Sequence, residues 1–400
     1  MADRLNILMI THKTRAGIVP RSMVMASNLV ERGHHAMIIA ISRQKRFGIE
    51  EYYLDGVRIV ETPDMLWGRL RTGWDPWNLI NRLYFLSKEN GSYNLVHTFE
   101  SRPASIYPAL YFSRKHNLPL ITDWNDWFGR HGLIDINRPI WYRYLFGGVE
   151  TYYEETFRAK AAGLTVISSM LQQRAIGLGV DPKKICFISG GAFLDLFTNH
   201  SIEECRQHSG FKLDEPMLGF SSANSHLDME IVLQSLKLVS QKYPEMKLII
   251  TGEAKEEIHK LVKKFDVQNN VIFTGFLPLN ELQWYLGSAN VFLLPMADLP
   301  YNQGRWPNKM CDYMCMARPT VSNPVGDIKR LMEQNAVGCL AAWTPEDFAQ
   351  KILYLLDHPS VSAEYGRNAR KVAEEQFDWK KLIVKLEDFY YKILNEEQNK

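Results

Sequence analysis

Cysteine is scarce in this sequence, and what there is makes no pattern. Cys186, Cys205, Cys311, Cys315 and Cys339 form no CxxC pair and have no histidine at metal-site spacing. A disulfide framework and a structural zinc site are thereby excluded, and the thiols read as reduced. Cys311 and Cys315 stand four apart, which on a helix gives them one face, and packing is the ordinary role of such a pair. Long apolar runs are lacking too. No window approaches the roughly 18 to 20 uninterrupted apolar residues that a membrane span needs. The start, MADRLNILMITHK, passes from charge straight into a strand-length apolar run with no small-residue cleavage site. A cytoplasmic location is expected, peripheral at the inner face of the membrane at most. Charge of one sign is also absent: 47 Lys and Arg stand against 45 Asp and Glu, a formal net charge of +2. Such a chain has no global field to recruit DNA or RNA by counterion release, so no nucleic-acid partner is expected. Glycine-rich phosphate loops are missing as well. The first loop, THKTRAGIVPRS, holds the single glycine Gly17, and the later LGFSSANSHLD is equally poor. With no GxGxxG and no GxxxxGK[ST], nicotinamide, flavin and P-loop chemistry lose ground, and no cofactor is expected.

What the sequence does contain is a core. Hydrophobic residues make up 46%, aromatics 12% and charged residues 23%, the balance of a packed globular chain. Four hundred residues exceed one ordinary domain, and two is the working number. Leu5 to Ile10 and Ala36 to Ile41 read as buried strands on either side of a helical segment, Met23 to Arg32, that ends at Gly33. Strand-like runs continue at 57–60, 95–99, 118–122, 164–168 and 185–188. Alternation of this kind predicts an α/β fold, a parallel sheet covered by helices on both faces. From Gly190 to Pro216 the rhythm breaks into a polar segment. A second cycle then runs through 217–220, 248–251, 271–274, 291–295, 320–321 and 339–341, and helices close the chain at 345–356 and 379–394. Two doubly wound Rossmann-like domains are expected, at 1–200 and 201–375, with a C-terminal helix at 376–400 that could pack back on the first. Sheets of this class bind ligands at the carboxyl edges of their strands, so the expected site lies in a cleft across which the domains face each other.

The stretch Tyr301 to Pro319, YNQGRWPNKMCDYMCMARP, is the most informative. Pro307 suits the first turn of a helix, and Met310, Cys311, Met314 and Cys315 then make one apolar face. Lys309 and Asp312, three apart, project together from another side, with Arg305 just before the helix. Cations at a helix N-terminus oppose the macrodipole by a few tenths to about 1 kcal/mol each. An anion bound between them would reverse the sign. Free N–H groups, the dipole and two cations suit a phosphate, and Asp312 suits the hydroxyls of a sugar. A nucleotide-diphosphate sugar meets both requirements; on charge pattern alone the alternative is a solvated Arg and Lys paired with Asp312. In the first half, ITDWNDWFGRHG follows a strand. Flat aromatic faces beside carboxylates suit a sugar ring, which makes Trp124, Trp127 and Arg130 candidates for acceptor contact and Asp123 and Asp126 candidates for catalysis. Capping aspartates and core tryptophans are the alternative. His97 and Glu100, in LVHTFESRP, end a neighbouring strand and join the acceptor candidates, although a strand-end histidine is more often a satisfied structural group.

Several segments, in order, resemble the GT-B glycosyltransferases of the retaining family-four group, glycosyl transferases group 1: NLVERGHHAMIIA, GLTVISSML, ISGGAFLDLF, KLIITGE, NNVIFTGFLPLNELQWYLGSANVFLLP and KMCDYMCMARPTV. The resemblance is that of the downstream half of the chain, over nearly its full length. It implies the GT-B fold and transfer of a sugar, hexosyl or related, from a nucleotide-diphosphate donor to a hydroxyl acceptor with retention. It also implies that no metal is needed, since a helix dipole and cations can stabilise the departing diphosphate. In that family the last segment carries two glutamates eight residues apart. Asp312 falls on the second, which implies contact with the nucleotide ribose, while Gly304 stands in place of the first, which in the family contacts the donor sugar. The Arg and Lys that the family places after the first strand of its nucleotide domain are missing too, SSANSHLDMEI offering only His226. Arg305 and Lys309 are therefore assigned to the diphosphate, Lys309 with a catalytic part, and Asn302 or Asn308 to the donor sugar. Phe276 and Leu277, after VIFTG, match the loop that in the family holds the nucleobase by backbone groups, which leaves uridine, guanosine and adenosine open. Gly17 resembles the glycine that lets the family's chain approach the donor phosphate, with an ordinary turn glycine as the equal alternative. The family's histidine in the ITDWNDWFGRHG loop corresponds to Asn125, so Asp123 or Asp126 is assigned instead. Residues 64–85 and 137–157 lie outside the family's common core and mix Trp, Tyr, Leu and Arg. They suit an acceptor pocket, a surface resting on lipid headgroups, or a core edge. The acceptor is expected to be a glycan, polysaccharide or lipid-linked saccharide. The missing glutamate keeps two rivals in view: a non-catalytic sugar-nucleotide-binding or scaffold protein, and a GT-B sugar-nucleotide epimerase.

Overall fold

Continuous apolar runs become the inner strands of two sheets in the computed structural model, which describes residues 4–12, 20–42, 44–65, 72–222 and 225–399. The chain divides into two units, Met1–Ser189 together with Trp379–Lys400, and Gly190–Asp378. The division falls at Ser189/Gly190, directly after the first strand cycle and ahead of the expected boundary at 200/201, because the next residues are tied to the second unit. The Ala192 N–H donates to the Phe377 carbonyl at 2.6 Å, and Arg370 donates to the Phe197 carbonyl at 2.8 Å.

The first unit contains β1 (Asn6–Thr11), β2 (His35–Ile41), β3 (Glu50–Leu54), β4 (Val57–Thr62), β5 (Leu95–Phe99), β6 (Leu120–Trp124), β7 (Gly163–Val166) and β8 (Ile185–Phe187). They form one sheet in the order β3-β4-β2-β1-β5-β6-β7-β8. All neighbours are parallel except β3 and β4, which form an antiparallel hairpin at the edge. Its turn is Asp55-Gly56, with φ of 49° and 74°, the Asp-Gly turn whose twist matches paired strands. The all-parallel expectation is corrected at that edge. The central strands are buried on both faces, and Leu8, Ile39 and Val96 pack against Ile106 and Phe112 of the helix Pro103–His116. The last helix, Trp379–Gln398, belongs to this unit and buries Ile383, Leu386, Phe389 and Tyr390. Glu387 meets Arg32 at 2.5 Å and His34 at 2.9 Å. Gly163 gives Phe389 room, since a Cβ there would lie 2.8 Å from its ring.

The second unit contains β9 (Met217–Ser221), β10 (Lys247–Thr251), β11 (Val271–Gly275), β12 (Val291–Leu294), β13 (Thr320–Ser322) and β14 (Gly338–Leu340). The order is β11-β10-β9-β12-β13-β14, and every neighbouring pair is parallel. Phe220, Leu248, Ile250 and Leu293 pack against Val232 and Leu236 of the helix His226–Lys242. In each sheet the winding reverses once, between β1 and β5 in the first unit and between β9 and β12 in the second, and such a reversal opens a crevice past the strand ends. Among the described residues no helix is long and apolar enough to cross a membrane.

Candidate functional site

At the reversal in the second unit, the helix Asn308–Cys315 is held by an apolar face. Met310, Cys311, Met314 and Cys315 are buried, and so is Tyr313, which the apolar spacing did not include. The Tyr313 ring stacks on Phe292 of β12 at 4.1 Å, almost parallel. Its hydroxyl accepts the Ser221 N–H at the end of β9 at 2.9 Å. One tyrosine thereby fixes the helix to both strands of the reversal. Pro307 is the N-cap rather than the first helical residue, and no side chain caps this end. The turn is left open to an anion.

Lys309, on that turn, donates from Nζ to the Ser222 carbonyl at 3.1 Å and lies 4.4 Å from the centre of the Phe220 ring. Ser222 itself has φ of 62°. Burial pulls the lysine from 10.5 down to about 8, with Asp228 and Asp312 supporting its charge and Arg305 opposing it. Burial likewise pushes the Asp312 carboxyl up to about 7, against the pull of Lys309. Asp228, in the first turn of the helix His226–Lys242, was not a sequence candidate. It is 9% exposed, and burial raises its pKa while Arg305 and Lys309 lower it. Its Oδ1 has no hydrogen-bond partner among the described residues. Arg305 lies 5.4 Å from the Tyr301 ring centre, and its Nε is buried without a partner among the same residues. The structure thus gathers Arg305, Lys309, Asp312 and Asp228 into one electrostatic group.

The other donor candidates are placed less closely. Asn302 is fully buried and donates to the Ala297 carbonyl at 2.8 Å, with Oδ1 unmatched among the described residues. Asn308 is exposed at the start of the helix, with Oδ1 so near Gly190 that a Cβ there would lie 2.3 Å away. Gly304 ends the short helix Pro300–Gln303. Phe276 and Leu277 follow β11, and β10 separates that edge strand from β9; Phe276 is exposed. His226 is exposed on the first turn of its helix, 4.0 Å from Glu230. Gly17 lies outside the described residues.

The first unit holds several of the acceptor and catalytic candidates away from solvent. His97 has no exposed surface. Its Nδ1 is 2.6 Å from the Tyr390 hydroxyl and its Nε2 3.2 Å from Thr165 Oγ1. Burial lowers its pKa to about 4, so the ring is neutral near pH 7. Trp124 is equally closed: Nε1 donates to Glu154 at 2.9 Å, and the Arg158 guanidinium sits 4.1 Å from the ring centre. Asp123 is buried and accepts from Thr165 Oγ1 at 2.5 Å and from Arg21 Nε at 3.2 Å. Glu100, with φ of 67°, is buried 2.8 Å from His12, and Arg102 stands 3.9 Å away. Closed from solvent, none of the four presents a surface to an acceptor. The reason is their place on or at the ends of β5 and β6, inner strands under helices. Asp126, Trp127 and Arg130 lie in the loop past β6 and stay half-buried or exposed. The Arg174 guanidinium lies 3.9 Å from the Trp127 ring centre. His12 and Arg21 were missed by sequence reading, although His12 directly follows the strand at the reversal and could have been found there. Among the described residues no group of three or more His, Cys, Asp or Glu could hold a metal ion.

Two family models match this chain: Glycosyltransferase Family 4 over residues 17–196 and Glycosyl transferases group 1 over residues 215–358. A sucrose-phosphate synthase from Thermosynechococcus elongatus superposes with a TM-score of 0.77 at 16% identity, over 98% of this chain and 100% of that one. HepE of Anabaena, solved in complex with UDP-glucose, superposes with a TM-score of 0.72 at 15% identity, over 97% and 100%. Fold and family models together define a GT-B glycosyltransferase. The chain belongs to the family-four group of these enzymes, glycosyl transferases group 1. A putative colanic acid biosynthesis glycosyltransferase of Salmonella typhimurium, WcaL, is 23% identical over 232 residues, 56% of this chain and 55% of the relative. The chain spans about half or less of the length of the curated relatives it matches.

Proposed function

We propose that this glycosyltransferase moves a sugar from a nucleotide-diphosphate donor, held by the second unit, to a hydroxyl of a saccharide or lipid-linked acceptor recognised by the first, with retention at the anomeric carbon. The observation that carries the donor assignment is Lys309: a half-buried cation on an uncapped helix turn, grouped with Arg305. That placement costs stability in the free protein and is repaid when a diphosphate arrives. Arg305 and Lys309 hold the diphosphate oxygens. Asp312 accepts from the ribose hydroxyls, and Asn302 or Asn308 meets the donor sugar. HepE, the relative solved with UDP-glucose, supports a donor of this class.

In the reaction the bond from the anomeric carbon to the diphosphate oxygen breaks and a bond to the acceptor oxygen forms on the same face. The acceptor proton passes to the departing diphosphate, so no side-chain base is required. Charge builds up on the leaving oxygens as the sugar takes on oxocarbenium character, and the two cations and the helix turn stabilise it. Because these groups supply the positive charge, turnover survives EDTA; loss to EDTA with recovery on magnesium addition counts against this account. The donor class is tested by melting the protein against UDP-, GDP- and ADP-sugars, since a ligand of the folded state raises the melting temperature. Lys309→Ala abolishes transfer without unfolding the chain, and near-normal turnover by that variant removes the assignment. Gly304, where the family has an acid, motivates a second reading as a sugar-nucleotide-binding protein without turnover. Tight donor binding with neither transfer nor hydrolysis across acceptors favours it.

A further inference from the structure

The helix Ile140–Thr156 turns its large apolar residues outward. Ile140, Trp141, Tyr144, Leu145, Val149 and Tyr152 are exposed, Tyr144 by 84% and Ile140 by 80%. Their spacing is that of one helical face. The acids of the helix are spent elsewhere: Glu150 and Glu154 are buried, and Glu155 pairs with Arg174. Cations flank the start, where Arg143 donates to the Arg138 carbonyl and the Arg138 guanidinium lies 5.2 Å from the Tyr142 ring centre.

The same character continues onto two neighbouring helices of the first unit. The Tyr153 hydroxyl meets that of Tyr107 at 2.8 Å, on the helix Pro103–His116. That helix exposes Tyr107 and Tyr111 beside Arg114 and Lys115. Lys115 donates to the Ser87 carbonyl at 3.0 Å, on the helix Pro76–Lys88, where exposed Tyr84 lies under Lys88 at 4.2 Å. Neither of these two helices contains an Asp or Glu. The result is a run of exposed aromatic and aliphatic side chains edged by Arg and Lys, with its acids buried or paired. Tyr and Trp favour an environment apolar at one end and wet at the other, and Arg and Lys stems lie along apolar surface with their charges outward.

We propose that this face of the first unit docks on an anionic lipid surface. Trp141, Tyr144 and Leu145 seat among the headgroups, and Arg138, Arg143, Arg114, Lys115 and Lys88 lie at the level of the lipid phosphates. A second copy of the chain fits less well. A closed dimer pairs a surface with itself, which would set these cations against one another.

The full chain is sedimented with phosphatidylcholine vesicles with and without phosphatidylglycerol, at low and high salt. The wild type pellets with the anionic vesicles, and salt releases it. Each cation near such a surface multiplies partitioning about fivefold, so Arg114→Glu/Lys115→Glu weakens it roughly 25-fold or more. Trp141→Ser/Tyr144→Ser/Leu145→Ser weakens it by a comparable factor at unchanged melting temperature, since the buried side of the helix is untouched. Equal pelleting with neutral and anionic vesicles overturns the proposal, as does equal pelleting of the variants. So does a wild type that self-associates without lipid and becomes monomeric in the serine variant. None of these readouts uses the donor, so a failed donor assignment leaves the test intact.

Discussion

Replacing Lys309 by methionine separates the stability cost of this lysine from its use. In the free protein its pKa falls from 10.5 to about 8, a shift worth roughly 3 kcal/mol against the folded state when the lysine is charged. The hydrogen bond to the Ser222 carbonyl offsets about 1 kcal/mol of this. Lys309→Met keeps an unbranched stem over Phe220 and removes the charge, so the folded state gains roughly 1 to 2 kcal/mol. For a unit of this size that raises the melting temperature by about 2 to 8 °C. The pH window follows from the direction of the shift. A lysine with a depressed folded pKa carries its full penalty below about 8, and the penalty fades toward 10.5 as the unfolded lysine also loses its proton. The lead of the variant therefore closes across that range.

Donor acts against the variant's lead. A charge-assisted hydrogen bond is worth about 1.5 to 3 kcal/mol, so the variant loses roughly 10- to 150-fold in affinity for the nucleotide sugar. At a concentration about 100 times its own dissociation constant, donor stabilises the wild type by about 2.7 kcal/mol. The variant, binding 10- to 150-fold more weakly, gains only about 0.3 to 1.4 kcal/mol, so its lead shrinks by about 1.3 to 2.4 kcal/mol. The assay is differential scanning calorimetry of both proteins, with and without the best ligand from a UDP-, GDP- and ADP-sugar panel, at pH values on either side of the lysine's window. Equal melting without nucleotide, together with equal shifts on adding it, would refute the reasoning.

The same physics sets three further expectations. Asp312 has a folded pKa raised from 3.8 to about 7, so its stabilising effect is complete below about 4 and lost as pH rises through 7; Asp312→Asn gains stability above that window in denaturant titrations and weakens donor binding. Tyr313→Phe leaves the Ser221 N–H without its acceptor, which costs about 1 to 3 kcal/mol and lowers the urea midpoint at unchanged slope; an unaltered midpoint contradicts the anchoring role. In the first unit His97 is held neutral with a folded pKa of about 4. Its stability is lost as pH falls from 6.5 through 4, and His97→Gln, if folded, flattens the acid limb of the denaturation profile over that interval.

What was legible in the sequence followed from how much a local pattern constrains its neighbours. Inner strands such as Asn6–Thr11 are buried on both faces, so an unbroken apolar run has no other economical solution. The edge strand Glu50–Leu54 reads EEYYL, with no apolar run, and its one sequence signal, the Asp55-Gly56 turn, went unread. The clustering of Lys309 with Arg305 was legible for the opposite reason. Lys309 and Arg305 break the rule that cations avoid a helix N-terminus, and a broken local rule marks a candidate site. Asp228 obeys the rule, since an acid in the first turn has a sufficient local explanation, and it therefore gave no signal. The acceptor loop was misread by the length of one strand. Apolar character ends at Thr122, but pairing with Gly163–Val166 carries β6 on to Trp124. Asp123 and Trp124 thereby become sheet residues under helices, while Asp126 and Trp127, three residues further along, remain in the loop. Two chemically identical pairs, Asp with Asp and Trp with Trp, thus differ only in whether a backbone ladder reaches them, and the interaction that decides it comes from residues some forty positions away.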